Sequence, residues 1–559
     1  MSENIMRSMI KKGKKAYDKL ICATGDPLAE NTALLLELLR KNKDTEIGKR
    51  YDFKDIDSIE KYKASVPLLT YDDYSVYIDK LKREKFYQLR KDKLKYFAHT
   101  SGSMGNPKLI PLSDATISAI LENHLIARYR TAHLYEADNL KYGRTLAVYS
   151  YIDVKTLPGD IKVGDITGHA IYTLKQHFGN LFTTPACSVF ANEIHDFHYV
   201  HARFALNAKD ITCISSAFMA EIFELIKYII TNRDRLIDDI EKGRIHYDVK
   251  MPEYVRNELK KLVRPDPARA RELRDAFSSG DFKGILKKLW PGLLVINASG
   301  NASFKPYTKR VKYYAGESVS FFHPGYAASE GQIGTALEED RASFSLLPHR
   351  MFYEFIPFED IDKPDPETLT IDKLEKDKQY EIVLTNLSGF YRYRIKDIIK
   401  VTEVLGKTPQ VEFLYRKNQV IDMLGEKVTY AQLESAVNEC AKELGSFITE
   451  FAVYPDLRSG TEHYTIMLEK DDFVPVINAD KFLELFDQKL GEVNSAFKAL
   501  QSENKLGASK IEFVQPQTFV LYKDLQVMRG VSGNQIKPIR HIDTLEKEKF
   551  FFALLDKSE

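Results

Sequence analysis

Short apolar runs rich in β-branched and aromatic residues recur along most of the chain, and helix-prone stretches separate them. This alternation leaves few architectures open. Residues 94–98, 145–152, 211–215, 293–296, 319–322, 352–356 and 381–385 read as strands. The 211–215 run leads straight into an apolar helix at 217–230, and the 293–296 run follows the only tryptophan, Trp290. Strands and helices in alternation predict an α/β architecture with β-sheets flanked by helices. Residues 1–92 read as helical and charged, with Ala33, Leu34, Leu35, Leu38 and Leu39 forming an apolar stripe. Residues 231–289, charged and interrupted by Pro265 and Pro267, read as a surface helical insertion, and 358–379 as an exposed polar connection.

The pattern changes near the end of the chain. Leu433, Ala436, Val437, Cys440 and Leu444 line one helix face, strand candidates follow at 448–454 and 463–468, and a long helix is expected around 480–500. These features predict a large N-terminal domain over 1–417 and a smaller α+β domain over 418–559, and 559 residues suffice for both.

Charge excludes some functions. Lys and Arg number 81 against 80 Asp and Glu, so the net charge of +1 provides no global basic field for nucleic acid. The four cysteines, Cys22, Cys187, Cys213 and Cys440, are far apart and form no CxxC pair. They read as small buried apolar residues rather than as a disulfide framework or zinc site. The first twenty residues lack the sustained apolar run of a signal peptide, and no stretch reaches the ~18 apolar residues of a membrane span. A cytoplasmic protein is expected. The 13 histidines show no paired ligand spacing, and His99 and His323 read as structural hydrogen-bonders.

Chemistry is concentrated in four segments. Directly after the 94–98 strand comes Thr100-Ser101-Gly102-Ser103-Met104-Gly105-Asn106-Pro107-Lys108. Glycines let backbone N–H groups approach phosphate oxygens, hydroxyls donate, and one cation neutralises. The segment lacks the G-x-x-x-x-G-K-[S/T] pattern of a Walker A loop, and a plain Gly/Ser turn is an equal reading. Next, after the 319–322 strand, Tyr326, Ser329 and Glu330 lie in G-Y-A-A-S-E-G. A carboxylate there can hold Mg²⁺ against phosphate oxygens, and Tyr326 can stack on a purine or wall a substrate pocket. An exposed turn with an incidental glutamate is the competing reading. Third, Asp397 closes Y-R-Y-R-I-K-D, where it can accept both ribose hydroxyls; the same run reads equally as an amphipathic strand with its basic residues facing water. Last, a Gly/Ser-rich loop at 530–536 delivers Lys537, an ammonium suited to charge developing at an α-phosphate, although a solvated loop lysine has the same signature.

As an ordered set these segments resemble the signature of the acyl-adenylating superfamily of acyl-CoA synthetases, peptide-synthetase adenylation domains and luciferases. That signature is a T-S-G-[S/T]-x-G-x-P-K loop, an aromatic-x-x-[S/T]-E segment, an aspartate on a late strand, an Arg-containing hinge (here 416–428, R-K-N-Q-V-I-D-M-L-G-E-K-V) and a C-terminal lysine. Within it, the chain is similar to the auxin-responsive Gretchen Hagen acyl acid-amido synthetases. The residues carrying this are V-P-L-L-T-Y-D-D at 66–73, Leu289-Trp290-Pro291, F-Y-E-F-I-P at 352–357, Y-R-Y-R at 391–394, and the spacing of Gly530, Ser532, Gln535, Lys537, Pro538 and Arg540. The match runs over roughly residues 60–540. The sequence departs from the family pattern at Met104, Ala328 and Lys396, where Ser or Thr, Ser, and Gly are usual.

The resemblance implies a large domain with a small mobile lid, ATP and Mg²⁺ as cofactors, and two half-reactions. A small carboxylic acid is adenylated, and an amine, expected to be an amino acid, then takes the acyl group. Ser101, Gly102, Ser103, Gly105 and Lys108 would cradle the phosphates, with Tyr326 and Ser329 also at the nucleotide. Glu330 would hold the metal, Asp397 and Arg416 the ribose, and Lys537 would bridge the reacting oxygens. A helix at 114–128 would flank the acyl pocket. The expected partners are these small molecules, with no nucleic acid, no membrane and a monomeric state. The alternative is an acyl-CoA ligase of the same superfamily, forming a thioester.

Overall fold

The computed structural model describes residues 2–83, 87–99, 108–134, 143–149, 151, 153–191, 196–300, 304–417, 419–457, 461–469, 478–529, 531 and 536–556. The chain divides into two compact units, Met1–Gly300 with Thr308–Phe413, and Asn301–Tyr307 with Leu414–Glu559. Among the described residues no helix is long and apolar enough to cross a membrane.

Three sheets organise the first unit. One is wholly parallel, with strands in the order Arg144–Val148, Ile211–Phe218, Val295–Ser299 and Ser320–Phe322. Helices connect these strands, as parallel neighbours require. A second sheet pairs Tyr96–His99 with Leu109–Leu112 antiparallel and with Ile161–Gly164 parallel. The third runs Phe352–Pro357, Gln379–Thr385, Tyr393–Leu405, Thr408–Arg416, Phe344–Leu346, Gly331–Ala336 and Tyr326–Ala328. The α/β alternation read from the sequence is the architecture observed.

The apolar stripe at the N-terminus falls in helix Pro27–Asn42, which buries Leu35, Leu38 and Leu39, while Ala33 is exposed. The expected surface insertion at 231–289 is corrected. Its four helices bury Leu236, Ile237, Ile240, Leu259 and Leu273, so they have a core-facing side. Trp290 ends this region fully buried, its indole Nε1 donating to Ala205 O at 3.0 Å. Two cysteines also depart from expectation: Cys22 is exposed and Cys187 half-buried, whereas Cys213 and Cys440 are buried.

In the second unit, helix Tyr430–Glu443 buries Leu433, Ala436, Val437 and Cys440 against the sheet Phe451–Asp456, His463–Glu469 and Lys510–Val514. The expected single helix at 480–500 is two, Ala479–Val493 and Ser495–Ser502. Asn494 separates them, and its side chain accepts from Phe497 N and caps the second helix.

The N-terminal helices are fastened to the large sheet through residues 391–394. Arg392 donates from Nε to both Glu354 oxygens, at 3.2 and 3.1 Å, and from Nη1 to Lys63 O and Val66 O. Thr368 adds a hydroxyl to the same carboxylate at 2.6 Å. The side chains of Arg392 and Glu354 are 8% and 1% exposed. Removing one partner of such a pair strands a buried charge, at about 3–5 kcal/mol. Glu354→Ala is therefore expected to lower the unfolding free energy by roughly that amount. A urea midpoint unchanged from the parent chain would rule this out.

Candidate active site

Two acidic residues and two tyrosines form a closed arrangement in the first unit. Strand Tyr326–Ala328 turns back through Ser329 and Glu330 into strand Gly331–Ala336, with Ala328 opposite Gly331. Gly331 has φ of 143°, in the region that favours glycine. This tight turn buries Glu330 to 4% exposure, and Ser329 beside it is half-buried. Glu330 Oε1 accepts from Tyr393 OH at 3.2 Å. Four residues after Tyr393, the buried Asp397 accepts from Tyr326 OH at 2.7 Å. Tyr326 in turn lies four residues before Glu330. Each carboxylate is thus held by the tyrosine that precedes the other, which fixes both relative to a common frame. Tyr326 is buried with its ring 5.6 Å from that of Phe413, and its hydroxyl is engaged by Asp397.

Asp397 does not close its strand as expected; it sits inside Tyr393–Leu405 at a bulge. The register passes from Glu381 opposite Ile398 to Val383 opposite Arg394, so extra residues of the second strand are accommodated there. Lys396 takes φ of 67° to do this. That left-handed conformation is the physical reason why a glycine suits the position. The basic neighbours do not simply face water. Arg394 pairs with the buried Glu381 at 2.6 Å, and Arg392 with Glu354.

The glycine-serine loop joins two strands of the second sheet. His99 and Leu109, which flank the loop, are paired in register. Ser101, Gly102, Ser103 and Gly105 lie outside the described residues. Lys108 is exposed, with Nζ 5.1 Å from the centre of the Tyr71 ring. Tyr71 clamps the start of the second strand, accepting from Leu109 N at 2.8 Å and donating to Leu109 O at 3.2 Å. Burial pushes its hydroxyl pKa up, opposed by the Leu109 hydrogen bond and assisted by the charges of Asp79, Glu330 and Asp72. A hydrogen-bonded path also runs from Glu330 to the far end of the second strand, away from the loop. Ser388 Oγ meets Glu330 O at 3.5 Å and Thr116 Oγ1 at 3.4 Å, and Thr116 meets Ser113 at the end of the strand.

Sequence reading assigned no role to Tyr71, Tyr393 or Ser388. Tyr71 and Tyr393 stand inside motifs that were visible, but a phenol's hydrogen-bond partner is a tertiary fact. His323 is a structural hydrogen-bonder as expected: burial pushes its pKa down to about 4, and its Nδ1 accepts from Gly300 N at 3.3 Å.

Helix Asp114–Leu134 follows this hairpin directly, as expected for 114–128. Asn123 on it donates to Pro324 O, just before the Tyr326 strand. Leu121, His124, Ala127 and Arg128 of this helix, with Ser215 and Asn297 of the parallel sheet and Tyr149 just past its first strand, line a cavity of about 130 Å³. Burial pushes the pKa of His124 down, favouring the neutral ring.

Among the described residues no three His, Cys, Asp or Glu side chains cluster as a metal cage. Mg²⁺ on a nucleotide needs only one or two carboxylates beside the phosphates, and the hard oxygens of Glu330 fit that requirement. In the second unit Arg416 ends strand Thr408–Arg416 half-buried, and Lys537 is exposed.

Comparison with known proteins adds three findings. The GH3 family N-terminal, central and C-terminal domain models match residues 16–320, 344–416 and 431–546. The chain is 26% identical over 535 residues to the indole-3-acetic acid-amido synthetase GH3.3 of Arabidopsis thaliana, covering 90% of this chain and 87% of that protein. It is 24% identical over 527 residues to the jasmonoyl–L-amino acid synthetase JAR4 of Nicotiana attenuata, covering 90% and 89%. Among solved structures it superposes on the GH3.15 acyl acid amido synthetase with a TM-score of 0.86 at 21% identity, covering 97% of this chain and 96% of that one.

The left-handed backbone at position 396 generates a prediction. Lys396→Gly is expected to stabilise the protein by up to about 1 kcal/mol, whereas the β-branched Lys396→Val should cost about 2 kcal/mol. Urea unfolding of both variants checks the order, and a less stable glycine variant would contradict it.

Proposed function

The chain belongs to the GH3 family, and on that premise we propose that it is an ATP-dependent, AMP-forming ligase that joins a small carboxylic acid to an amino acid. The observation that carries this reading is the reciprocal tyrosine–carboxylate frame. It holds Glu330 and Asp397 in fixed relation in the same compact unit as the paired strands that flank the glycine-serine loop.

In the first half-reaction the acid's carboxylate oxygen attacks the α-phosphorus of ATP. The bond to the β-phosphate bridge breaks, and pyrophosphate leaves. The loop with Ser101, Gly102, Ser103, Gly105 and Lys108 cradles the phosphates through backbone N–H groups and the ammonium. Tyr326 and Ser329 flank the nucleotide. Asp397, buried with one oxygen on Tyr326, accepts from the ribose hydroxyls, and Arg416 is assigned to the same ribose. Glu330 is the ligand for Mg²⁺, which when bound neutralises charge on the phosphate oxygens. Lys537 stabilises charge on the oxygens around the α-phosphorus. Because Glu330 and Lys537 belong to different compact units, this chemistry requires the second unit to bring Lys537 to the nucleotide, with 416–419 as the hinge. In the second half-reaction the amine nitrogen attacks the acyl carbon, AMP leaves with the bridging oxygen, and the nitrogen loses its proton to solvent.

The acyl group is assigned to the cavity beside helix Asp114–Leu134, whose walls are mostly apolar. Indole-3-acetic acid, jasmonic acid and 2,4-DB, the acids named with its relatives, form the first panel, joined by benzoic acids. Pyrophosphate release with this panel, followed by mass detection of products with each amino acid and with CoA, tests the reading. Amide formation supports it, while a thioester would favour the CoA ligase.

Lys537→Ala is expected to abolish ATP–pyrophosphate exchange while leaving the thermal midpoint unchanged, and normal exchange would refute its role. Asp397→Ala should raise the KM for ATP, by about tenfold for a lost charge-assisted hydrogen-bond pair. An unaltered KM would place the ribose elsewhere.

A further inference from the structure

The second unit contains a buried ion pair three residues from Lys537, and the adenylation chemistry alone does not explain it. Arg540 is fully buried, and its guanidinium makes hydrogen bonds to a helix side chain and to two carbonyls at the start of a strand. Nε donates to Glu434 Oε1 on helix Tyr430–Glu443 at 3.0 Å. Nη1 donates to Phe451 O at 3.0 Å, and Nη2 to Thr449 O at 3.3 Å. The guanidinium carbon stacks 4.3 Å from the centre of the Phe451 ring. The backbone is tied as well: Arg540 O accepts from Val453 N, and Ile542 N donates to Val453 O, both at 2.9 Å, so this stretch runs alongside strand Phe451–Asp456. Lys537, by contrast, is exposed.

We propose that Arg540, oriented by Glu434, is a positioning residue that sets where Lys537 emerges from the second unit. This rests on the role given to Lys537 above. Only Pro538 and Ile539 intervene, so the Lys537 Cα cannot lie more than about 10 Å from that of Arg540. Pro538 restricts the path further by fixing one backbone angle. Ile539 packs on the apolar cluster of Ala452, Tyr454, Phe519 and Phe551. A buried ion pair is an inefficient source of stability compared with apolar packing. A planar fork satisfied at once by a carboxylate on a helix and two carbonyls at a strand's start does, however, have its orientation fixed. A lysine that must meet a pentavalent phosphorus needs such a reference point, because a 1 Å displacement from reacting geometry costs about a hundredfold in rate.

The test uses the full chain with ATP and the most active acid of the panel. Arg540→Lys removes the fork but keeps the charge. Glu434→Gln keeps an acceptor oxygen for Nε and is the milder change. Three measurements are made on each variant: ATP–pyrophosphate exchange, aminolysis of the synthetic acyl-adenylate of the same acid, and the thermal midpoint. Positioning predicts a tenfold to hundredfold fall in the kcat of exchange. It also predicts an ATP KM within about twofold of the parent and aminolysis within about twofold, since Lys537 acts only in the first half-reaction. Parallel losses in both half-reactions, unchanged exchange, or failure of both variants to fold would overturn the proposal and leave Arg540 a purely structural residue. Lys537→Ala, assayed alongside, separates the two claims. If it lacks exchange while the Arg540 and Glu434 variants retain it, positioning fails alone. If it exchanges normally, the role of Lys537 and the proposal fall together. No exchange by the unmutated chain with any acid would sink adenylation itself.

Discussion

The Arg392 guanidinium, buried against Glu354 and two backbone carbonyls, is the contact on which the first unit turns. It fastens the helical N-terminus to the large sheet, and it does so in the same few residues that build the site. Leu69 N donates to Arg392 O and Arg394 N donates to Leu69 O, while Tyr391 exchanges backbone bonds with the Tyr74 hydroxyl. Tyr393, held between these anchors, reaches Glu330, and the bulge that follows turns Asp397 inward. Stability and site geometry therefore share one short segment. Its arginine adopts φ of 45°, a cost that the surrounding hydrogen bonds offset.

From that anchor the site extends by short polar links. The segment 66–73, which carries part of the family resemblance, supplies Tyr71 to hold the loop-bearing hairpin and Leu69 to meet the sheet. Asn123 ties the cavity-lining helix to the strand that leads to Glu330.

The second unit repeats the device with other residues. Glu426 accepts from Met423 N, Leu424 N and Tyr464 OH, ordering the segment after residue 421, and Arg540 with Glu434 anchors a stretch three residues from Lys537. In both units an ionic side chain buried among backbone partners stands a few residues from the group proposed to meet ATP, where placement matters more than net stabilisation.

Much of this is legible in the amino-acid sequence alone. Periodicity and strand composition sufficed for the α/β class, because those signals depend only on which faces are buried. The ordered motifs sufficed to single out Glu330, Asp397 and Lys537, because charge and glycine content are written residue by residue. Other properties arose from contacts between distant segments. Lys396 looked like an odd substitution until the bulge gave its backbone a left-handed turn. The 231–289 helices looked solvated because charged residues outnumber the few apolar ones that face inward. The bond from the Tyr326 hydroxyl to Asp397, 71 residues away, had no trace in either motif. Hydrogen bonds between side chains remote in sequence leave no periodic trace, since nothing in either local stretch encodes its partner. Folding alone brings two tyrosines to two carboxylates.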